Sequence, residues 1–323
     1  MQAKVTRILS VLFVAAMISQ SAVAQKYRPL RDYVEPDGWS IGMNIGKSEL
    51  WGDVGTKSPI DHFANGKYLD KVSFVGGIYG RYHFHPSLAI RFALNFGSLT
   101  ATDEWNLDGV NGKGLLEGDD YTQRYLRAQT AKATIFEASS MVEITPRRIN
   151  IHQRAFKRSQ PYVAAGLAFF HYTPYSTIGS STTYVKTYNL SLEGQGFIGA
   201  DYPKRNSRWQ PAVPLAVGYK WDLGERLNFA IEYKYRMTLF DQLDGVSGKY
   251  ISEFEFNQNL SPADARTAIL IADKKAFYNN SLPSEPGTLR GNPGNNDSYS
   301  TISFMLTFKV PSRKAFWWTT KKF

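Results

Sequence analysis

The stretch Leu227–Leu239, LNFAIEYKYRMTL, decides the fold because its apolar and polar residues alternate. One set is Leu227, Phe229, Ile231, Tyr233, Tyr235, Met237 and Leu239, and the other is Asn228, Ala230, Glu232, Lys234, Arg236 and Thr238. A period of two places the sets on opposite faces of a β-strand. A soluble protein would pack the apolar face into a core, whereas a transmembrane barrel would turn it towards lipid and enclose the charges.

The N-terminus favours the membrane interpretation. Lys4 and Arg7 are followed by the apolar stretch Ile8–Ile18 and by the small-residue cleavage site Ala22–Ala24. This pattern predicts a secretory signal peptide over residues 1–24. The remaining sequence has no apolar run near the roughly 18 residues of a spanning helix. The chain has no cysteine, which excludes a lipoprotein anchor and a disulfide framework.

Eight segments share the alternating pattern and have about the 9–11 residues that a tilted spanning strand needs. They are Trp39–Lys47, Val72–Phe84, Leu88–Thr100, Thr134–Ile144, Gln160–Tyr172, Gln210–Trp221, Leu227–Leu239 and Ser300–Lys309. The odd-numbered connections between them have 24, 33, 37 and 60 residues, and the even-numbered ones have 3, 15 and 5. Outer-membrane barrels alternate long extracellular loops with short periplasmic turns in this way.

The sequence therefore predicts an all-β fold over residues 39–309, an eight-stranded antiparallel transmembrane β-barrel of the outer-membrane type with long extracellular loops. Residues 25–38 would form an N-terminal periplasmic segment, and residues 310–323 a basic, aromatic periplasmic tail. The aromatic content of 14% suits interfacial girdles. A soluble lipocalin-type barrel is the alternative, but it would have no reason to sort its connections by length.

Charged residues fall on the predicted inner face. They are Arg81, Arg91, Glu137, Glu143, Glu232, Lys234 and Arg236. An eight-stranded barrel has an interior just wide enough for side chains to fill. Because both signs are present, the charges can pair across the lumen, which favours a salt-bridged plug over an ion path.

The positive charge of the chain is concentrated on the predicted periplasmic side. The formal net charge is +10, or +8 after removal of Lys4 and Arg7. Segments 145–159 and 309–323 carry five basic residues each and no acidic one, so the rest of the mature chain carries −2. The candidate partner-binding residues are Arg147, Arg148, Arg154, Lys157, Arg158, Arg313, Lys314, Trp317 and Trp318. They suit a lipid anchor or a docking surface for an acidic periplasmic partner equally well.

Signals for catalysis and metal binding are weak. His83 and His85 share a strand face beside a turn, a poor arrangement for a metal site, and no nucleophile elbow or phosphate loop occurs. The sequence therefore predicts no catalytic residue, metal or cofactor. Asp241 and Asp244 could bind a cation, but they are more typical of residues that order a loop through backbone N–H groups.

The last long loop contains one helix signal. Ser261 and Pro262 predict a helix start, and the helix would reach about Phe277. The following stretch, Pro283–Asp297, is rich in Gly, Pro and Asn and is predicted to be mobile.

Four ordered segments resemble a known family. Trp51–Gly55 follows the first strand, where the family shows an aromatic-x-Gly-Asp-x-Gly pattern, and Leu192–Gly196 is similar to its Glu-Gly-Gln-Gly segment. Pro214–Lys220 is similar to a Pro-x-Gly-x-Gly-x-Lys strand, with Ala216 departing from it. Glu232–Arg236 and Phe240–Tyr250 resemble its longest signature, from which Gln242 and Gly245 depart. The family is that of PorG-like outer-membrane barrels associated with the type IX secretion system.

This resemblance implies a non-enzymatic role in the outer membrane, with contacts to the periplasmic ring lipoprotein PorK and its partner PorN. It marks Asp53, Glu193, Asp241 and Asp244 as family-motif loop residues. Outer-membrane lipid is the other expected partner, and neither nucleic acid nor a small-molecule substrate is expected. The competing hypotheses are a general OmpA- or OmpX-like surface barrel with structural or adhesive loops, and a lipid-modifying barrel enzyme.

Overall fold

The computed structural model describes residues 38–55, 73–85, 87–106, 120–146, 159–179, 181–199, 202–223, 226–275, 277 and 282–310. Eight long antiparallel strands form one sheet, which closes into a barrel because β4 pairs with β5. These strands are β1 (Gly38–Trp51), β2 (Ser73–His85), β3 (Leu88–Thr102), β4 (Thr130–Ile144), β5 (Ser159–Thr177), β7 (Trp209–Asp222), β8 (Leu227–Thr238) and β9 (Ser298–Lys309). The short strand β6 (Tyr184–Lys186) extends the sheet beside the end of β5.

The strand register fixes the geometry of the barrel. Paired residues can be followed once around the wall from Asn228 of β8, and the path returns to β8 at Thr238, ten residues further on. It passes through Thr307, Gly42, Tyr79, Ala93, Ser139, Ala168 and Ala212. Such a stagger tilts the strands, typically by about 35–45° in closed barrels.

The wall is apolar outside and polar inside. Ile41, Ile78, Phe96, Leu167 and Phe304 point outward and are 54–72% exposed, as expected of side chains that contact lipid. The alternate residues of the strands point inward, and they include the charged residues of the lumen, which are at most 5% exposed. This inverted distribution identifies a membrane barrel and contradicts the soluble alternative, which needs an apolar interior.

All eight predicted strands are present, and most extend beyond their predicted ends. All four long connections leave the same end of the barrel, called here the long-loop end. The described parts of these loops contain a 3₁₀ turn (Asp103–Asn106) and the helices α1 (Asp120–Arg127), α2 (Glu253–Asn259) and α3 (Pro262–Ala272). Within the described ranges, no helix is long and apolar enough to cross a membrane.

Two loop predictions need correction. The helix predicted from Ser261 begins there, with Ser261 as N-cap, but it ends at Ala272, well before Phe277. The mobile loop predicted over Pro283–Asp297 is wrong for Arg290 and Asp297, which are 2% and 0% exposed. Arg290 is bonded to Glu193 of another loop, and Asp297 is bonded to Leu243 at the far end of its own loop, which local composition does not reveal.

Several predicted features lie outside the described residues. They are the signal peptide, residues 25–37 and the tail beyond Val310, together with all nine candidate partner-binding residues. Lys309 is described, and its Nζ lies 3.2 Å from Asp222 Oδ1. The positive charge of Lys309 is therefore neutralised by a carboxylate at the end of the strand β7.

Candidate functional site

The lumen near the short turns is organised around Glu143 of β4. Arg81 Nη2 lies 3.0 Å from Glu143 Oε2, and Lys220 Nζ lies 3.1 Å from Glu143 Oε1. Arg91 continues the network, with Nη1 3.9 Å from Glu143 Oε2 and Nη2 2.7 Å from Glu232 Oε2. These charges are buried, so each depends on its partners rather than on water.

Tyr162 closes this part of the network. Its hydroxyl donates to Glu232 Oε2 at 2.9 Å, and Lys234 Nζ lies 3.4 Å from Glu232 Oε1. The tyrosine ring lies against Gly218 of β7, where a Cβ would be 2.5 Å from Tyr162 Cζ. Glycine at position 218 therefore makes room for the ring that orients the carboxylate.

A third carboxylate, Glu137, forms the next layer towards the long-loop end. Four donor groups converge on its two oxygens. Arg236 Nε and the Tyr299 hydroxyl donate to Oε2 at 2.9 and 2.7 Å, and Asn95 Nδ2 and Arg236 Nη2 donate to Oε1 at 2.8 and 3.4 Å. The Arg236 guanidinium also lies over the Tyr299 ring, 4.9 Å from its centroid. Glu137 is fully buried and saturated with hydrogen bonds.

An apolar layer covers this network. The Phe170 ring lies 5.5 Å from that of Tyr299 and 6.1 Å from that of Phe240, which comes from the loop after β8. Leu243 and Val246 from the same loop belong to the same buried cluster. The long loop thus inserts apolar side chains into the barrel mouth, so apolar packing and ion pairs together fill the lumen.

Two buried arginines join the long loops above this layer. Arg290 Nη1 lies 2.9 Å from Glu193 Oε1, and the Glu193 carboxylate also accepts from the backbone N–H groups of Ser247 and Gly248. Arg127 donates to both oxygens of Asp103, at 2.8 and 2.9 Å. The Arg290–Glu193 pair connects two different loops. The Arg127–Asp103 pair lies within the loop between β3 and β4, but Arg127 also donates to the backbone oxygens of Asp53 and Arg290 and so connects that loop to two others.

Asp244 and Asp297 have no cationic side chain within hydrogen-bonding distance among the described residues. Asp244 accepts from the N–H groups of Val54 and Val246, and Asp297 Oδ2 accepts from that of Leu243 at 2.6 Å. Asp297 Oδ1 is buried and has no hydrogen-bond partner in the part of the chain that the structure describes. This atom and Asp244 Oδ2 lie 2.4 and 2.5 Å from the position of a Cβ on Gly52, so the two carboxyls approach each other across that glycine.

The acid–base properties of the mouth follow from its burial. Burial raises the pKa of Asp244 to about 6 and that of Asp241 to about 8. Burial also raises the pKa of Asp297, and the charges of Asp244 and Asp241 add to the rise. Neighbouring negative charges disfavour joint ionisation of the three carboxyl groups. When the loops are folded over the barrel mouth, this group therefore retains protons near neutral pH.

Lys274, just after α3, attaches the loops to the wall. Its Nζ donates to Thr130 Oγ1, Ser176 Oγ and Thr177 Oγ1 at 2.7, 3.1 and 2.9 Å. Burial lowers the pKa of Lys274 to about 7, and the charge of Arg290 adds to this effect. Above this point, α2, α3 and residues Leu190 and Leu192 form a separate small core.

The structure brings together both sets of described candidate residues. All seven predicted inward charges lie in the lumen, and the family-motif residues Asp53, Glu193, Asp241 and Asp244 meet at the mouth. Asp244 orders a loop through N–H groups, as predicted. Sequence reasoning did not place Lys220 in the lumen, although this residue ends the Pro214–Lys220 motif. It also missed Arg127 and Arg290, for which the sequence carries no local signal. In the described ranges no group of three or more His, Asp or Glu residues is arranged to hold a metal ion.

Comparisons with known proteins show only a distant likeness. No protein-family model matches the chain, and no curated protein matches it. The solved structure of Ail from Yersinia pestis has 10% identity and a TM-score of 0.35, covering 84% of this chain and 99% of that one. Neisserial surface protein A has 10% identity and a TM-score of 0.36, covering 84% and 97%. OprG of Pseudomonas aeruginosa has 11% identity and a TM-score of 0.30, covering 84% and 97%. Scores this low carry no functional argument, and the membrane assignment stands on the distribution of side chains.

Proposed function

We propose that this chain is a bacterial outer-membrane barrel without a solute pathway that serves as a membrane anchor of the type IX secretion machinery. The observation that carries the proposal is the convergence of the family-motif segments. Asp244 accepts from Val54, and Glu193 accepts from Ser247 and Gly248, so three motif segments far apart in sequence build one buried network. Motif residues that depend on each other structurally support the resemblance to PorG-like barrels.

The filled lumen supports an anchoring role. Ion pairs around Glu143, Glu232 and Glu137 occupy the interior, and the apolar layer of Phe170 and Phe240 lies over them. A barrel of this kind acts through its surfaces. On the proposed orientation the short turns face the periplasm, where the basic segments could meet PorK and PorN.

A crosslinked pull-down from intact cells tests the proposal. The tagged barrel should recover PorK and PorN from the membrane fraction. Changing Arg147, Arg148, Arg154, Lys157 and Arg158 to Gln should lower the recovery, and added salt should lower it further, because exposed charges are screened within about 8–10 Å at physiological ionic strength. The matched control changes Lys249 and Arg266, which are exposed on the long loops, and should recover both proteins normally.

Recovery of neither protein from the wild-type barrel would refute the secretion role. Equal recovery from the five-residue variant with the tail removed after Lys309 would leave the basic segments as lipid anchors only. Each variant must first show the unheated, faster-migrating band of a folded barrel in SDS gels.

A surface barrel of the OmpA or OmpX type is the second candidate. One observation favours it: α2 and α3 form an ordered cap with its own core, including Phe256, Ala265 and Ile271. An ordered cap is suited to present a binding surface on the cell exterior. Loss of binding to cells or matrix after deletion of residues 253–272, with normal recovery of PorK and PorN, would support this role.

A further inference from the structure

The outer face of the barrel carries a row of basic and aromatic residues at its long-loop end. Lys132 of β4 pairs with Tyr175 of β5, which pairs with Lys186 of β6. The Lys132 ammonium lies 5.1 Å from the ring centroid of Tyr184, so the lysine leans across β5. Tyr184 and Lys186 are two residues apart on one strand, which places both lysines on the same outward face.

A third cation borders this row. Arg208 precedes β7, and its backbone oxygen accepts from the N–H of Tyr172 in β5. Its guanidinium lies 5.2 Å from the ring centroid of Tyr188, two residues beyond Lys186. Lys132, Lys186 and Arg208, called here the basic face, therefore follow the same side of the wall.

The basic face continues directly into the lipid-facing surface. Phe136 lies four residues below Lys132 on β4, or about 13 Å along the strand, and it is 40% exposed. Phe169 of β5 stacks on Trp209 of β7, with centroids 5.5 Å apart. Apolar rings at one level and cations just beyond them are the arrangement expected where hydrocarbon meets charged headgroups.

The opposite side of the barrel differs. There Lys47 of β1, at a similar height, lies 2.5 Å from Glu49 and is neutralised by it. Among the described residues of these two sides, the uncompensated positive charge therefore lies on the β4–β7 side.

We propose that the basic face binds the phosphorylated headgroup of an outer-leaflet glycolipid, whose acyl chains lie on Phe136, Leu167 and Phe169. Phosphate oxygens accept strong charge-assisted hydrogen bonds from Lys and Arg. A membrane lipid is the one partner class that covers the cations and the apolar wall below them together. The inference rests on the proposed outer-membrane location with the long loops outside.

The test uses the full barrel in nanodiscs and purified bisphosphorylated lipid A as the probe. Changing both Lys132 and Lys186 to Gln should weaken binding about 25-fold, and Arg208→Gln about fivefold, since each cation near a lipid headgroup contributes about a fivefold factor. The control variant changes Arg226 and Lys249, which are exposed elsewhere, and should bind within about twofold of wild type.

Lipid A without phosphates should bind the wild-type barrel about fivefold more weakly than intact lipid A binds the double variant, because the double variant retains Arg208. Equal binding of both lipids to the wild-type barrel, or displacement by millimolar inorganic phosphate, would overturn the inference. Failure of the wild-type chain to fold in nanodiscs would instead refute the membrane location itself. A folded barrel without phosphate dependence would refute only the glycolipid site.

Discussion

The replacement Glu137→Gln removes the charge on which the upper lumen network depends. Glu137 is fully buried, and Arg236, Tyr299 and Asn95 all donate to its two oxygens. Glutamine is nearly the same size, but its NH₂ group would replace one of the two acceptor oxygens. This donor would then face two other donors. The Arg236 guanidinium would keep its bonds to Thr301 Oγ1 and the Lys234 backbone oxygen, but it would lose the charge of its partner and one of the two acceptor oxygens at position 137.

The cost of this change follows from burial. Breaking a buried ion pair by removing one partner costs about 3–5 kcal/mol, because the remaining charge cannot recover its hydration. Arg236 keeps two acceptors, which favours the lower end, so we expect a loss of about 3 kcal/mol. This corresponds to a decrease of roughly 100-fold in the folding equilibrium constant. Reversible urea unfolding in lipid vesicles, followed by tryptophan fluorescence, measures the difference.

Two further variants make the measurement decisive. Glu285→Gln alters an exposed carboxylate and should change stability by less than about 0.5 kcal/mol. The double variant Glu137→Leu with Arg236→Met removes both charges and should recover most of the lost stability. A loss below about 1 kcal/mol for Glu137→Gln would mean that water reaches the pair, and the description of a filled lumen would then be wrong.

Other predictions concern the wall, the packing and the mouth. Phe92→Arg places a charge in the lipid-facing surface and should cost about 2–4 kcal/mol by urea unfolding, whereas an unchanged stability would contradict the register. Gly218→Val should clash with the Tyr162 ring and lower the yield of the heat-modifiable folded form, and recovery by an added Tyr162→Ala change would confirm the cause. The raised pKa values of Asp244 and its neighbours mean that the closed mouth holds protons that the open mouth releases. Loop stability should therefore fall as the pH rises from about 4 to about 8. The measurement is the protection factor of the Leu243 amide, which is its exchange rate compared with the intrinsic rate at the same pH, and Asp297→Asn should flatten its dependence on pH. A protection factor that stays constant with pH in the wild type would refute the proton-holding mouth.

The barrel was predictable because the strands of a membrane barrel alternate apolar residues that face lipid with polar residues that face the lumen. A period of two separates Ile231 from Glu232, and eight such segments with alternating connection lengths leave few other folds. The same period placed Arg91, Glu143 and the other inward charges in the lumen. The same period also places Lys220 inward, because the flanking Tyr219 and Trp221 are partly exposed on the outer face, so the lysine was predictable although the charge pattern alone did not single it out.

The mouth was not predictable in the same way. The Asp53 carboxylate accepts from the backbone N–H of Asn292 only after the long loops fold over the barrel, and no local pattern connects positions so far apart in sequence. Composition was misleading for residues 283–297, since Gly, Pro and Asn also occur in loops held by tertiary contacts. Helix α2 carries a signal that is readable in the sequence, the capping box of Ser252 and Glu255. Strand β6, with three residues, is too short to show a period.

Electrical recording in planar bilayers tests the central claim most directly. A barrel whose lumen is filled by the ion pairs of Glu143, Glu232 and Glu137 and covered by Phe170 and Phe240 should insert without conducting. We expect a flat current trace at voltages that open general porins, from protein shown to be folded by its gel shift. Stable single-channel steps of porin size would contradict the filled lumen and, with it, the proposed role as an anchor.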